Sequence, residues 1–451
     1  MATSEMVGNS KGVQNAVLRS TTNSYIRPLA ILTALFFLWG FLTSLNDILV
    51  PHLKSITDFD YTKVILVQFA FFSAYFLFSL PWSKIVNKIG YQKTMVAGLV
   101  TMSLGALLFV PAASIPSFPL LLTGLMILGA GVTGLQVAAN PYVVILGKPE
   151  TASSRLNLTQ AFNSFGTTLA PWLGGMFILT APLAAEQLRQ LSPQALHVYR
   201  MSQAASIKMP YIVVSIVLIL LALAIAKSKL PTIAHEEARP GEKIKDSIWK
   251  HPNLLFGALG IFAYVGAEVS IGSFMVNYLG QPEIAGFSPK IAAGYVSFYW
   301  AGAMVGRFIG AGVLQKIKTG HLLAICAVCT MTLVTFSMLT SGHVAMWSMI
   351  AVGFFNSIMF PSIFTLGVAE LGPLTSTGSG IINMAIVGGA IVPLIQGVVA
   401  DHIGIHHAYL LPVICYLYIL FYAVRGSMPN SERYGNRQEK FAREMSNAIS
   451  R

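Results

Sequence analysis

The chain is 451 residues long, 55% hydrophobic and only 10% charged, and it carries a formal net charge of +12. So much apolar sequence with so few charges excludes an ordinary soluble globular protein and a disordered one. The surplus of basic residues does not point to nucleic acid, because no basic patch interleaved with aromatics accompanies it.

Residues 1–25 are polar and read as a tail. Apolar runs then recur, each of the roughly 20 residues a helix needs to cross a hydrocarbon core of about 30 Å. The first six are at 26–50, 62–83, 94–113, 118–146, 156–181 and 209–227. The first run is too long for a signal-peptide core and is expected to stay as a membrane helix. The charged stretch 228–250 follows as a linker. Six further runs are at 254–279, 292–315, 321–340, 344–369, 376–400 and 407–425, and 426–451 is a second polar tail. The expected architecture is an all-α membrane protein of twelve helices in two six-helix bundles, 26–227 and 251–425. Most of the 29 Lys and Arg residues fall on the side of the membrane that holds the amino terminus. That asymmetry predicts both termini in the cytoplasm.

The halves echo each other. Gln136 precedes Pro141 by five residues, as Asn356 precedes Pro361; Gly166 precedes Pro171 by five, as Gly388 precedes Pro393. Asn87-Lys88-Ile89 after the second run matches Gln315-Lys316-Ile317 after the eighth. Duplication of a six-helix unit explains these matches, and a two-bundle transporter is built this way.

Of the 17 acidic residues, only Asp47 and Glu268 lie within long apolar runs. A charge there costs about 2.5 to 3.5 kcal/mol on insertion scales and marks a pathway or a partner. Two chemistries fit Asp47: a desolvated carboxylate that takes up and releases a proton, or an ionised ligand that holds sodium together with Asn46. Glu268, amid the small residues Gly266, Ala267, Ser270, Gly272 and Ser273, accepts sugar hydroxyls, titrates, or serves as a buried helix-packing carboxylate. Gln136 and Asn140 share a helix face, as do Asn157, Gln160 and Asn163. Carboxamides offer a donor and an acceptor to vicinal hydroxyls, although buried amides also serve as glue between helices. Trp39, Phe162, Tyr299 and Trp300 are candidates to stack on a pyranose. Arg307 and the loops of Lys88 and Lys316 read as cytoplasmic gate contacts between helix ends.

Cys326, Cys329 and Cys415 all fall inside apolar runs and read as core residues. His402, His406 and His407 lack a metal-ligand pattern, so no metal is assigned, and sodium at Asp47 stays one of its two coupling chemistries. No phosphate-binding glycine loop occurs, and no nucleophile, base or ligand set marks an enzyme. No cofactor is expected beyond a coupling H+ or Na+.

The segments LFFLWGFLTSLNDILVPHL, GLQVAANPYVVILG and RLNLTQAFNSFG resemble the fucose-galactose-glucose symporter family of the major facilitator superfamily. In the second half ALGIFAYVGAEVSIGSF, YWAGAMVGRFIG and GFFNSIMFPSIFTLG are similar to its glucose/galactose branch. The resemblance covers about residues 25–425. It implies a central sugar cavity worked by alternating access, with Asp47 at the coupling aspartate of helix 1 and Gln160 and Asn163 at cavity positions of helix 5. The fucose-transporting members carry a glutamate in helix 4 where this chain has Gln136, and a glutamine in helix 7 where it has Glu268. The expectation is a monomeric, cation-coupled glucose/galactose importer of a bacterial inner membrane, with Gln136, Asn140, Gln160, Asn163, Glu268 and Asn356 at the sugar. A passive hexose facilitator, a fucose-proton symporter and an exporter of amphipathic cations are the alternatives.

Overall fold

A computed structural model describes residues 25–44, 61–114, 117–177, 190–231 and 247–429. The first half holds α1 (Tyr25–Ser44), α2 (Tyr61–Ile89), α3 (Tyr91–Ser114), α4 (Phe118–Ile145), α5 (Ala152–Phe177) and α6 (Pro193–Lys227). The second holds α7 (Pro252–Leu279), α8 (Pro289–Val313), α9 (Thr319–Leu339), α10 (Gly342–Gly367), α11 (Gly372–Ile403) and α12 (Ile405–Gly426). The chain is an all-α, multi-pass membrane protein. Ten of these helices are long and apolar enough to cross a membrane, counted among the described residues. The two others, α5 and α8, are long but more polar, and they pack against each other across the two halves.

Helix α6 begins well before the apolar run at 209–227. Ser192 caps it, its hydroxyl accepting from the Ala195 N–H at 3.2 Å, and Pro193 occupies the first helical position. Hydropathy detects only the lipid-facing part of such a helix. Three other runs are single in sequence but interrupted in structure. Helix α10 breaks between Asn356 and Met359, α11 tightens into a 3-10 turn at Ala385–Val387, and α12 ends in a π turn at Tyr422–Gly426.

The prolines explain how such breaks survive in lipid. A proline lacks the N–H that would bond the carbonyl four residues back, and in a bilayer that carbonyl needs another donor. Pro141 frees the Val137 carbonyl, which accepts from Ser379 Oγ of α11 at 3.0 Å. Pro171 frees that of Thr167, which accepts from Ser44 Oγ of α1 at 3.1 Å. Pro361 frees that of Ser357, which accepts from Arg307 Nε of α8 at 3.2 Å. Each cap comes from a different helix, so the prolines tie helices together as well as bending them.

The repeat read from the glycines has a packing basis. A Cβ on Gly166 would run into the Phe37 carbonyl, and one on Gly388 into the Phe262 carbonyl. Helix α5 therefore lies backbone to backbone on α1, and α11 on α7 in the same way. Only a residue without a side chain permits that approach. Gly388→Leu is expected to abolish the monodisperse peak in detergent size-exclusion chromatography. Gly312→Leu, at a glycine facing open space, is expected to leave the peak intact.

Within the first half α3 packs on α4 and α6, and α2 on α4; within the second, α7 packs on α10, α11 and α12. The halves meet along α2 with α11 and α5 with α8. They are knitted at the end that carries Lys88 and Lys316. Ser376 donates to Asn87, Ser154 to the Ala311 carbonyl at 2.6 Å, and Thr319 to Ser153 at 2.9 Å.

Candidate functional site

Between the halves, above that knitted end, lies a cavity of about 170 Å³. Helices α4 and α5 present amides to it, and α7 and α8 present charges. Gln136, Gln160 and Asn163 line one side, Glu268 and Arg307 the other, with Trp39, Val265, Phe360 and Ile386 as apolar walls around Pro361. Of the six residues expected at the sugar, Gln136, Gln160, Asn163 and Glu268 line this cavity, and Asn140 and Asn356 do not.

Gln136 Nε2 donates to the Tyr75 hydroxyl at 2.9 Å, which fixes the amide plane on α4. Gln160 Nε2 reaches Asn140 Oδ1 at 3.4 Å, a long bond that a stronger ligand partner could replace. Asn140 itself is fully buried and sits behind Gln160. Asn163 lines the cavity, yet its Nδ2 donates to the Phe36 carbonyl at 2.9 Å. It is helix glue and cavity wall at once. Asn157, on the same stripe of α5, is buried and donates to the Arg307 carbonyl at 2.7 Å, crossing to the other half.

On the opposite side Glu268 Oε1 accepts from the Tyr264 hydroxyl at 2.7 Å and lies 3.7 Å from Arg307 Nη2. Oε1 is thus held, while Oε2 has no hydrogen-bond partner among the described residues. Asn356 is fully buried rather than at the cavity surface; its Nδ2 donates to the Tyr299 hydroxyl at 2.9 Å. Its carbonyl, at the break of α10, accepts from Tyr264 at 3.1 Å. Tyr264 thereby fixes both the carboxylate and the broken helix.

Asp47 and Asn46 lie outside the described residues. Of the four aromatic candidates, Trp39 lines the cavity. Tyr299 is buried, Trp300 is 42% exposed, and Phe162 packs edge-on against Phe308. Arg307 lies inside α8 rather than at its end and lines the cavity, while its side chain and carbonyl also bond to α5 of the other half. Tyr264 and Arg307 were the residues missed as partners of Glu268. Both had a signal: Tyr264 stands one helical turn before Glu268, and a cation inside an apolar run needs a counter-charge.

The Major Facilitator Superfamily profile matches residues 31–392. The chain is 50% identical over 408 residues to a glucose/galactose transporter of Brucella abortus biovar 1 (strain 9-941), covering 90% of this chain and 96% of that one. It is 35% identical over 410 residues to the L-fucose-proton symporter of Escherichia coli (strain K12), covering 89% and 93%. Among solved structures, FucP in the outward conformation superposes with a TM-score of 0.82 at 34% identity, covering 90% of this chain and all of that one.

Proposed function

Because the chain belongs to the Major Facilitator Superfamily, we propose that it is a cation-coupled glucose/galactose symporter of a bacterial inner membrane, with bundles 26–227 and 251–425 alternating about the cavity. It is a transporter and not an enzyme. The observation that carries the sugar reading is the pairing of amides on α4 and α5 with a half-free carboxylate on α7. Such a set accepts and donates to several hydroxyls at once. The cavity is smaller than the roughly 300 to 1,000 Å³ of drug-sized pockets, as suits a small hydrophilic solute. Glucose or galactose is preferred to fucose on the greater identity to the transporter named for those sugars.

In this reading Gln136, Gln160 and Glu268 contact the hexose and Trp39 covers one face. Asn140, Asn163 and Asn356 hold those contacts in place. Asp47 with Asn46 carries the coupling ion, since Glu268 already has a resident cation in Arg307. A proton is favoured over sodium because the fucose relatives are proton symporters. The excess of Lys and Arg supports a cytoplasmic position for the knitted end, and in this reading the cavity faces outward with the inner side closed. The protein acts as a monomer.

Uptake of radiolabelled glucose into proteoliposomes, with sodium and proton gradients imposed separately and galactose and fucose as competitors, tests the proposal. Concentrative uptake on a proton gradient, competed by galactose, is expected. Equilibration without concentration under either gradient would make the protein a facilitator. Within the site, Gln160→Ala is expected to raise the glucose KM roughly ten-fold with little change in melting. Asn163→Ala is expected to lower stability by about 1 kcal/mol through loss of the tie to α1, measured by thermal denaturation.

A further inference from the structure

Arg307 distributes its whole guanidinium. Nη2 faces Glu268 at 3.7 Å, Nε caps the Ser357 carbonyl at 3.2 Å, and Nη1 donates to Ser164 Oγ on α5 of the other half. Its own carbonyl accepts from Asn157 of α5 at 2.7 Å. Asn157 and Ser164 are seven residues apart, about two turns of one helix. One residue of α8 therefore grips two turns of α5 while its side chain lines the cavity. Ser164 is buried and also donates to the Gln160 carbonyl at 3.0 Å, so the grip touches the amide side as well.

The bond lengths within this cluster are unequal. The Glu268 contact is an ion pair too long for a hydrogen bond, whereas the Ser164 contact is a charge-assisted hydrogen bond across the bundle interface. Nη2 therefore retains hydrogen-bonding capacity beside the free Oε2 of Glu268. A solute that bridges the two, with one hydroxyl donating to Oε2 and another oxygen accepting from Nη2, draws the guanidinium toward the cavity and away from Ser164.

We propose that Arg307 is a latch joining occupancy of the cavity to closure of the bundle interface: empty, it holds α5 to α8 through Ser164, and the solute that engages Glu268 releases it. The identity of that solute rests on the hexose reading; the latch itself does not. Arg307 is in this role a positioning residue whose effect is on the equilibrium between closed and open interfaces. Any substance with a differential affinity for the two arrangements shifts that equilibrium.

The test uses a single reporter cysteine at Ala311, buried where Ser154 meets α8, with Cys326, Cys329 and Cys415 replaced by serine. Its rate of modification by a polar maleimide is followed in detergent. Without sugar, Ser164→Ala is expected to raise the rate about ten-fold, the loss of one charge-assisted hydrogen bond, and Arg307→Lys to raise it similarly. Glucose is expected to accelerate modification of the parent and to add less than two-fold in Ser164→Ala. Parental rates in both sugar-free variants would overturn the latch, as would equal acceleration by glucose in the parent and in Ser164→Ala. Failure of the parent to bind radiolabelled glucose would overturn the hexose reading instead, and the sugar-free rates would still decide the latch.

Discussion

Glu268→Gln is expected to raise the KM for glucose roughly ten- to hundred-fold, because an ionised acceptor contributes about 1.5 to 3 kcal/mol to a hydrogen bond and a neutral amide less. It should also destabilise the fold, since Arg307 loses its counter-charge. Breaking a dry buried pair costs about 3 to 5 kcal/mol. Here about 1 to 3 kcal/mol is expected, because both side chains line a cavity and Arg307 keeps the Ser357 and Ser164 acceptors. The double variant Glu268→Gln/Arg307→Gln separates the two effects. It should melt less far below the parent than the sum of the two single variants, because Arg307→Gln alone also gives up the Ser357 and Ser164 acceptors, and it should recover none of the lost uptake. If the two single effects on melting simply add, the pair does not stabilise the cavity wall.

The second large effect concerns coupling. Asp47→Asn is expected to reduce gradient-driven accumulation of glucose to the equilibrium level while counterflow, the exchange of labelled for unlabelled sugar, continues at a comparable rate. Exchange needs the sugar site and the conformational change but no net ion movement. Concentration requires the ion and the sugar to favour the same transition, a reciprocal linkage. Accumulation that survives the substitution would move the coupling role away from Asp47. Loss of exchange together with accumulation would place Asp47 in the sugar site.

Much of the architecture was legible because membrane helices announce themselves by length and composition. The duplication was legible because the close backbone contacts at Gly166 and Gly388 demand a glycine at the same place in both halves, although the carbonyls freed by Pro141 and Pro361 are capped by different residues, Ser379 and Arg307. Depth within a bundle was not legible. Gln136 and Asn356 stand at matching places before a proline, yet Gln136 faces the cavity and Asn356 lies one layer behind it, bonded to Tyr299. Helical periodicity places a residue on a face and says nothing of what covers that face. Asn163 shows a related limit, because an amide on the predicted stripe was already engaged by the backbone of α1. Glu268 was found from its cost in a bilayer; its partner followed from the same rule but needed the approach of α7 to α8 to be identified.

The polarity of α5 and α8 bears on how the protein is made. Helix α5 carries Arg155, Asn157, Gln160 and Asn163, and it emerges from the ribosome long before α8, whose Arg307 segment accepts and supplies its cross-bundle bonds. At roughly 5 to 20 residues per second, synthesis of the chain from Phe177 to Pro289 takes on the order of ten seconds. During that interval α5 has only its own half to shield amides that a lone helix in lipid would leave unsatisfied. Gln160 and Asn163 find partners within that half, but Asn157 and Ser164 wait for the Arg307 segment of α8. A ribosome-stalled chain ending before α8 should leave α5 accessible to aqueous reagents that the finished protein excludes.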